Sequence, residues 1–198
     1  MVMKIGVLAI QGGFSLHSRI LQKLTTETKE IRLPKDLDGI DGLIIPGGES
    51  TTLSLLMKKY NLFEPIKSQV RSGLPVWGTC AGAIMLGYGE GTPQPRFDLI
   101  NVEISRNAYG RQMDSFVAPL EISKFSKDFP GVFIRAPKLL KVDSSVEILA
   151  YYKGEPVMAL QDNILVTSFH PELTTDIRIH EFFIKHITKK VFADMACK

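Results

Sequence analysis

The stretch that most constrains this chain is Leu74-Pro75-Val76-Trp77-Gly78-Thr79-Cys80-Ala81-Gly82-Ala83-Ile84-Met85-Leu86. Pro75 to Trp77 is a short apolar run that reads as a buried strand, and Ala83 to Leu86 reads as the start of a buried helix. Between them, Gly-x-Cys-x-Gly sits in the strand–turn–helix context of a nucleophile elbow, with Cys where hydrolases carry Ser. Glycine on both sides of the Cys permits a tight turn and a close approach of neighbouring backbone. Such a turn lifts the Cys80 side chain to the top of a sheet, at the start of a helix, where negative charge on sulfur is favoured. The competing reading makes Cys80 a small core residue between packing glycines, since free Cys is often buried and inert.

The surrounding pattern is that of an α/β domain. Lys4 to Ile10 is a continuous apolar run suited to a central parallel strand covered on both faces. Gln11-Gly12-Gly13 ends it, and Leu16, Ile20, Leu21 and Leu24 then recur at helical spacing. Glu30–Leu33 reads as a second strand and Gly42–Ile45 as a third, closed by Pro46-Gly47-Gly48. Helices are expected from about Thr51 to Tyr60 and around Phe63, Ile66 and Val70, before the elbow strand. This alternation predicts βαβ units and a mostly parallel sheet. From Asn101 to Gln161 the runs shorten: Val102–Ser105, Phe116–Ile122, Val132–Ile134, Val146–Tyr152 and Pro156–Gln161 read as an antiparallel β extension. Ile164–Phe169 returns to a buried strand, and a last helix starts near Thr175 with Ile179, Phe182, Phe183 and Ile187 on one face. One domain over 1–190 is expected, followed by a tail over 191–198.

Composition excludes several classes. The net charge of +3, with no dense Lys/Arg block or interleaved aromatic stripe, argues against a nucleic-acid partner. No apolar run reaches membrane-spanning length, and the N-terminus lacks a basic leader, so a cytoplasmic protein is expected. The two cysteines, Cys80 and Cys197, have no Cys or His at ligand spacing, so neither a zinc site nor any other metal site is expected.

Thr167-Ser168-Phe169-His170-Pro171-Glu172-Leu173 follows a strand, like the elbow. A cysteine nucleophile needs a base, and the base needs an acceptor that fixes its tautomer and stabilises its cation. Cys80, His170 and Glu172 can fill those three roles. Alternatively, His170 is a loop histidine and Glu172 a solvated turn residue. His17, His180 and His186 fit an ordinary role better, each lying on a predicted helix. Pro46-Gly47-Gly48-Glu49-Ser50-Thr51-Thr52 is no phosphate loop: it lacks Gly-Lys-Ser/Thr, and Glu49 would repel a phosphate. Ser50 or Thr51 can cap the helix that follows. A backbone amide of Gly47 or Gly48 can join that of Ala81 as an oxyanion hole, and Glu49 can bind a substrate ammonium.

Together these motifs resemble class I (triad) glutamine amidotransferases. The likeness sharpens with Arg106-Asn107-x-x-Gly110-Arg111-Gln112, Phe133-Ile134-Arg135-Ala136-Pro137 and Phe169-His170-Pro171-Glu172-Leu173-Thr174, which resemble the glutaminase subunits of pyridoxal 5′-phosphate (vitamin B6) synthase complexes. The resemblance runs from about Ile5 to Ile187. It implies a three-layer, flavodoxin-like sandwich that hydrolyses L-glutamine without metal or organic cofactor. The ammonia would go to a TIM-barrel synthase subunit within a hetero-oligomeric complex. It assigns Cys80 as nucleophile with His170 and Glu172, and glutamine binding to Gly48, Glu49, Ser50, Arg106, Ile134 and Arg135. Arg106 suits an α-carboxylate, which a guanidinium matches bidentately. Docking of the synthase is implied around Gln11 to His17. There the family's usual Arg-Glu-His run is replaced by Ser15-Leu16-His17. The rival readings are the same chemistry for another acceptor, as in imidazole glycerol phosphate synthase, a non-catalytic subunit of this fold, and a cysteine-based redox or stress protein.

Overall fold

A computed structural model of the chain describes residues 2–24, 26–89, 95–106 and 115–188. Its strands are β1 (Lys4–Leu8), β2 (Glu27–Ile31), β3 (Gly42–Ile45), β4 (Val76–Thr79), β5 (Val102–Ser105), β6 (Phe116–Leu120), β7 (Phe129–Phe133), β8 (Lys138–Val142), β9 (Glu147–Tyr152), β10 (Glu155–Gln161) and β11 (Ile164–Thr167). Its helices are α1 (Phe14–Lys23), α2 (Ser50–Lys59), α3 (Phe63–Arg71), α4 (Ala81–Leu86) and α5 (Arg178–Phe182), the last running on into a π-helical stretch over Phe183–Thr188. The 191–198 tail, Cys197 and the Asn107 to Gln112 part of the arginine motif lie outside the described residues.

Strands with apolar side chains on both faces must be covered twice, and the core divides accordingly. Leu8, Leu43, Ile45, Val76, Ile164 and Val166 point to one face and pack with Leu53, Met57, Ile66 and Val70 of α2 and α3 and with Ala83 to Leu86 of α4. Ile5, Val7, Ile44, Trp77 and Leu165, the alternate positions, point to the other and pack with Leu21 of α1 and Ile179 and Phe182 of α5. The result is the three-layer α/β sandwich.

The central sheet has seven strands in the order β2-β1-β3-β4-β11-β10-β9. The pairs from β2 through β11 are parallel, while β10 runs against both β11 and β9. The antiparallel extension therefore divides. The β9–β10 hairpin widens the main sheet, while β5–β8 and β6–β7 are separate two-stranded ribbons. The second strand begins at Glu27 and ends at Ile31, earlier than the Glu30–Leu33 expectation. It lies at the sheet edge, where a polar, half-exposed strand is tolerated, so its apolar signal was weak.

Candidate active site

The carboxyl ends of β1, β3, β4 and β11 are neighbours in the sheet, so the segments leaving them meet at one edge. Those segments carry Gln11-Gly12-Gly13, the Pro46–Glu49 turn, Cys80 and His170. The Cys80 amide donates to the Thr167 carbonyl at 2.8 Å, tying the elbow to β11. The His170 amide donates to the Val132 carbonyl of β7 at 2.8 Å.

Cys80 has φ 48° and ψ −102°, a conformation costly for a residue with a Cβ. The elbow holds it there because α4 is pressed against β3: a Cβ at Gly82 would run into the Ile45 carbonyl oxygen. Cys80 and His170 are 6% and 9% exposed, so both keep a thin opening to solvent. His170 Nδ1 lies 2.8 Å from Glu172 Oε1, and its ring sits beside Cys80, both side chains lying against Gly47. A short 3₁₀ turn, Pro171–Leu173, begins at His170 and turns Glu172 back under the ring. Burial by itself would lower the His170 pKa, but the hydrogen bonds and charges of Cys80 and Glu172 outweigh it and push it up to about 10. These partners favour the protonated ring. Burial opposes the charge on Glu172, yet His17 and His170 together hold its carboxyl below the usual range. The three residues read as nucleophile, base and acceptor are therefore brought together.

The glycine turn differs in detail from expectation. The Gly47 amide, expected at the oxyanion hole, donates instead to Thr79 Oγ1 at 2.8 Å, because the Thr79 hydroxyl ends β4 directly beneath it. The Gly47 carbonyl accepts from the Gly13 amide at 3.1 Å, and Gln11 Oε1 accepts from the Glu49 amide at 3.2 Å. The turn is therefore held by the loop after β1. A Cβ at Gly47 would sit 2.5 Å from His170 Cε1 and 3.3 Å from Cys80 Cβ, so this turn forms a wall of the site. Ala81 opens α4, where the amides have no partner in the helix ladder.

The cap of α2 is Glu49 rather than Ser50 or Thr51. Its carboxylate accepts from the amides of Thr51 and Thr52 at 3.2 and 2.7 Å. Burial, the largest single influence, opposes its charge, but these bonds and Arg106 together outweigh it and lower its pKa to about 2. Arg106 Nη2 lies 2.7 Å from Glu49 Oε1, and its Nη1 donates to Thr51 Oγ1 at 2.7 Å. Two residues expected to bind substrate thus pair with each other at the rim. Ser50 is buried in the first turn of α2. Ile134, assigned to glutamine binding by the resemblance, is half-buried just past the end of β7, and its carbonyl faces the Cys80 sulfur at 4.0 Å. Arg135 is exposed beside it with φ 44°.

His17 is the clearest correction. Placed by the resemblance on the docking surface, it is 0% exposed beneath Glu172 and cannot meet a partner directly. Nor are His17 and His180 unremarkable helix residues: their nitrogens lie 3.0 Å apart and His17 reaches Glu172. The signal was there in the spacing, since His17 shares the buried face of α1 with Ile20 and Leu21.

Residues 7–189 match the SNO glutamine amidotransferase family. The pyridoxal 5′-phosphate synthase subunit PdxT of Thermosipho africanus is 50% identical over 188 residues, covering 94% of this chain and 100% of that protein. The protein of the same name from Carboxydothermus hydrogenoformans is 51% identical over 189 residues, covering 94% and 99%. A solved structure described as a glutamine amidotransferase superposes with a TM-score of 0.88 at 42% identity, covering 93% of this chain and 98% of the other. One component of a putative GMP synthase from Thermoplasma acidophilum shares the fold, with a TM-score of 0.70 at 17% identity over 100% and 99% of the two chains.

Proposed function

The chain belongs to the SNO glutamine amidotransferase family, and on that footing we propose that it is the glutaminase subunit of a pyridoxal 5′-phosphate synthase, hydrolysing L-glutamine through Cys80, His170 and Glu172. The observation that carries the catalytic reading is His170 set beside Cys80 and hydrogen-bonded to a buried carboxylate. The Cys80 sulfur attacks the side-chain amide carbon of glutamine. The tetrahedral oxyanion is held by the Ala81 amide together with an amide of the Gly47–Gly48 turn. His170 gives its proton to the departing nitrogen, and ammonia leaves behind a γ-glutamyl thioester. His170 then takes a proton from water as that water attacks the thioester, releasing glutamate and returning Cys80 and His170 to their starting states. Glu172 orients the ring and stabilises its cation throughout. No step draws on a metal or an organic cofactor.

The relatives' name supports a synthase as acceptor of the ammonia. We take the acceptor to be a TIM-barrel subunit docking near Gln11, with the ammonia channelled to it. The cytoplasm, whose reducing poise keeps Cys80 a free thiol, is the compartment this reading requires.

The test of the catalytic reading is ammonia release from glutamine by triad variants. Glu172→Gln should slow turnover clearly, but by about one to two orders of magnitude less than His170→Asn, because the carboxylate positions the base and moves no proton. Wild-type turnover by Glu172→Gln would reduce the triad to a dyad.

Substrate recognition follows from the rim. A bound amino acid brings its own carboxylate and ammonium, so the Arg106–Glu49 pair can open and exchange one partner for two, Arg106 taking the carboxylate and Glu49 the ammonium. Arg106→Ala and Glu49→Ala should each lower kcat/KM for glutamine by roughly one to two orders of magnitude, mostly through KM, the worth of a charge-assisted contact. Glu49→Ala should also cost about 1 kcal/mol of stability, because it removes the cap of α2. Unchanged kinetics in both variants would move glutamine recognition elsewhere.

A further inference from the structure

Glu172 has two carboxylate oxygens, and the triad uses one. Oε1 accepts from His170 Nδ1 at 2.8 Å. Oε2 turns to the floor of the site, where His17 Nε2 lies 3.4 Å away. His17 Nδ1 lies in turn 3.0 Å from Nε2 of His180. Both histidines are 0% exposed. Trp77 closes the group, edge-on to His17 and to His180 with ring centroids 5.5 and 4.8 Å apart. Four segments thus meet here: α1, β4, the Pro171–Leu173 turn and α5. Two buried imidazoles are a costly way to fill a core that apolar side chains would fill better, which calls for a role beyond packing.

We propose that His17 is a positioning residue for glutamine hydrolysis: its Nε2–H donates to Glu172 Oε2 and locks the carboxylate with Oε1 facing His170. The inference rests on the triad reading above. A carboxylate oxygen has no proton to give, so the nitrogen facing it must carry one. Burial keeps His17 neutral, with His170 acting in the same direction against the pull of Glu172. Its Nδ1 is then a bare acceptor, and His180 must supply the Nε2–H. His180 is neutral for the same reason, burial first and then His17, and its own Nδ1 has no hydrogen-bond partner among the described residues. His180 therefore fixes the tautomer of His17, His17 fixes the rotamer of Glu172, and Glu172 fixes the ring of His170. At 3.4 Å the His17–Glu172 contact is an approach of the two groups short of hydrogen-bond geometry, and catalytic contacts in a resting site often tighten only when substrate binds. Oε2 makes no hydrogen bond among the described residues, and a buried carboxylate oxygen left so is costly. Thr79 Oγ1, which accepts the Gly47 amide, lies 3.5 Å from the same His17 nitrogen.

The test is steady-state glutaminase kinetics with the synthase subunit present. His17→Leu should lower kcat about tenfold to a hundredfold, the worth of a hydrogen bond to a charged group, with KM for glutamine unchanged. His17→Gln, which returns an N–H donor of similar reach, should recover most of that rate. The titratable groups facing Glu172 are His170 and, from α1, His17; those facing His17 are Glu172, His170 and, from α5, His180. Removing the His17 donor raises the Glu172 pKa, so the acid limb of kcat should move to higher pH in His17→Leu. In a Glu172→Gln background, His17→Leu should slow turnover no further. Equal slowing in both backgrounds overturns the proposal, since a merely structural defect would not need the carboxylate. A wild-type rate for His17→Leu overturns it too. If Glu172→Gln itself keeps the wild-type rate, the triad reading fails first. Should His17→Leu not fold, His180→Leu reads the same chain from its far end, with roughly a twofold to tenfold loss of kcat that vanishes in Glu172→Gln. The same loss in both backgrounds would overturn the proposal.

Discussion

Cys80→Ala is expected to lose ammonia release from glutamine by about 10⁴-fold or more, the scale seen when a nucleophile is removed from an intact triad. The fold should survive. Cys80 is 6% exposed and the change deletes a single sulfur atom, while the glycines that let α4 press against β3 are untouched. The strained backbone at φ 48° is imposed by the elbow and is no worse for Ala than for Cys. Thermal unfolding should therefore stay near that of the wild-type chain while turnover disappears. Retained turnover in a folded variant would return Cys80 to the role of a small core residue.

The second large effect concerns the partner. Glutamine hydrolysed before an acceptor is ready wastes its ammonia, and the resting site holds its glycine turn in a form that suits restraint. The Gly47 amide is given to Thr79, the Gly47 carbonyl to Gly13, and the Glu49 amide to Gln11. On the proposed mechanism a turn so held keeps the Gly47 amide from the oxyanion, and one such donor is worth about 10²–10³ in turnover. Adding the synthase subunit is expected to raise glutaminase activity by that order. Docking at the loop after β1 would pull on Gln11 and Gly13 and free the turn. Gln11→Ala should therefore weaken activation by the partner while changing thermal stability little. Full turnover by the isolated chain, unmoved by added synthase, would refute the gating.

Much of this was legible in the residues because each central strand had to be apolar on both faces. Ile5, Val7 and Leu8, then Leu43 to Ile45, read as buried strands with no help from neighbours in space. Edge and ribbon strands carried a weaker signal. β2 is mostly polar, and Lys138-Leu-Leu-Lys-Val of β8 has no period-two alternation, so it was missed. The proposed triad was legible because strand ends carry the chemistry in such sheets and both motifs follow a strand. The fine structure of the site was not. That Glu49 rather than Ser50 caps α2, and that the Gly47 amide is spent on Thr79, depends on rotamers and peptide orientations the sequence does not encode locally. His17 was misread because its partners, Glu172 and His180, lie far away in the chain and only the packing of α1 against α5 and the Pro171–Leu173 turn brings them together.

The most direct measurement of the central claim is covalent labelling with a diazoketone analogue of glutamine, read by peptide mass spectrometry alongside ammonia release. The expected result is one adduct per chain, on Cys80 and not on Cys197, formed in step with complete loss of glutaminase activity and slowed by excess glutamine. Activity lost without an adduct on Cys80, or undiminished turnover with Cys80 fully labelled, would contradict the account.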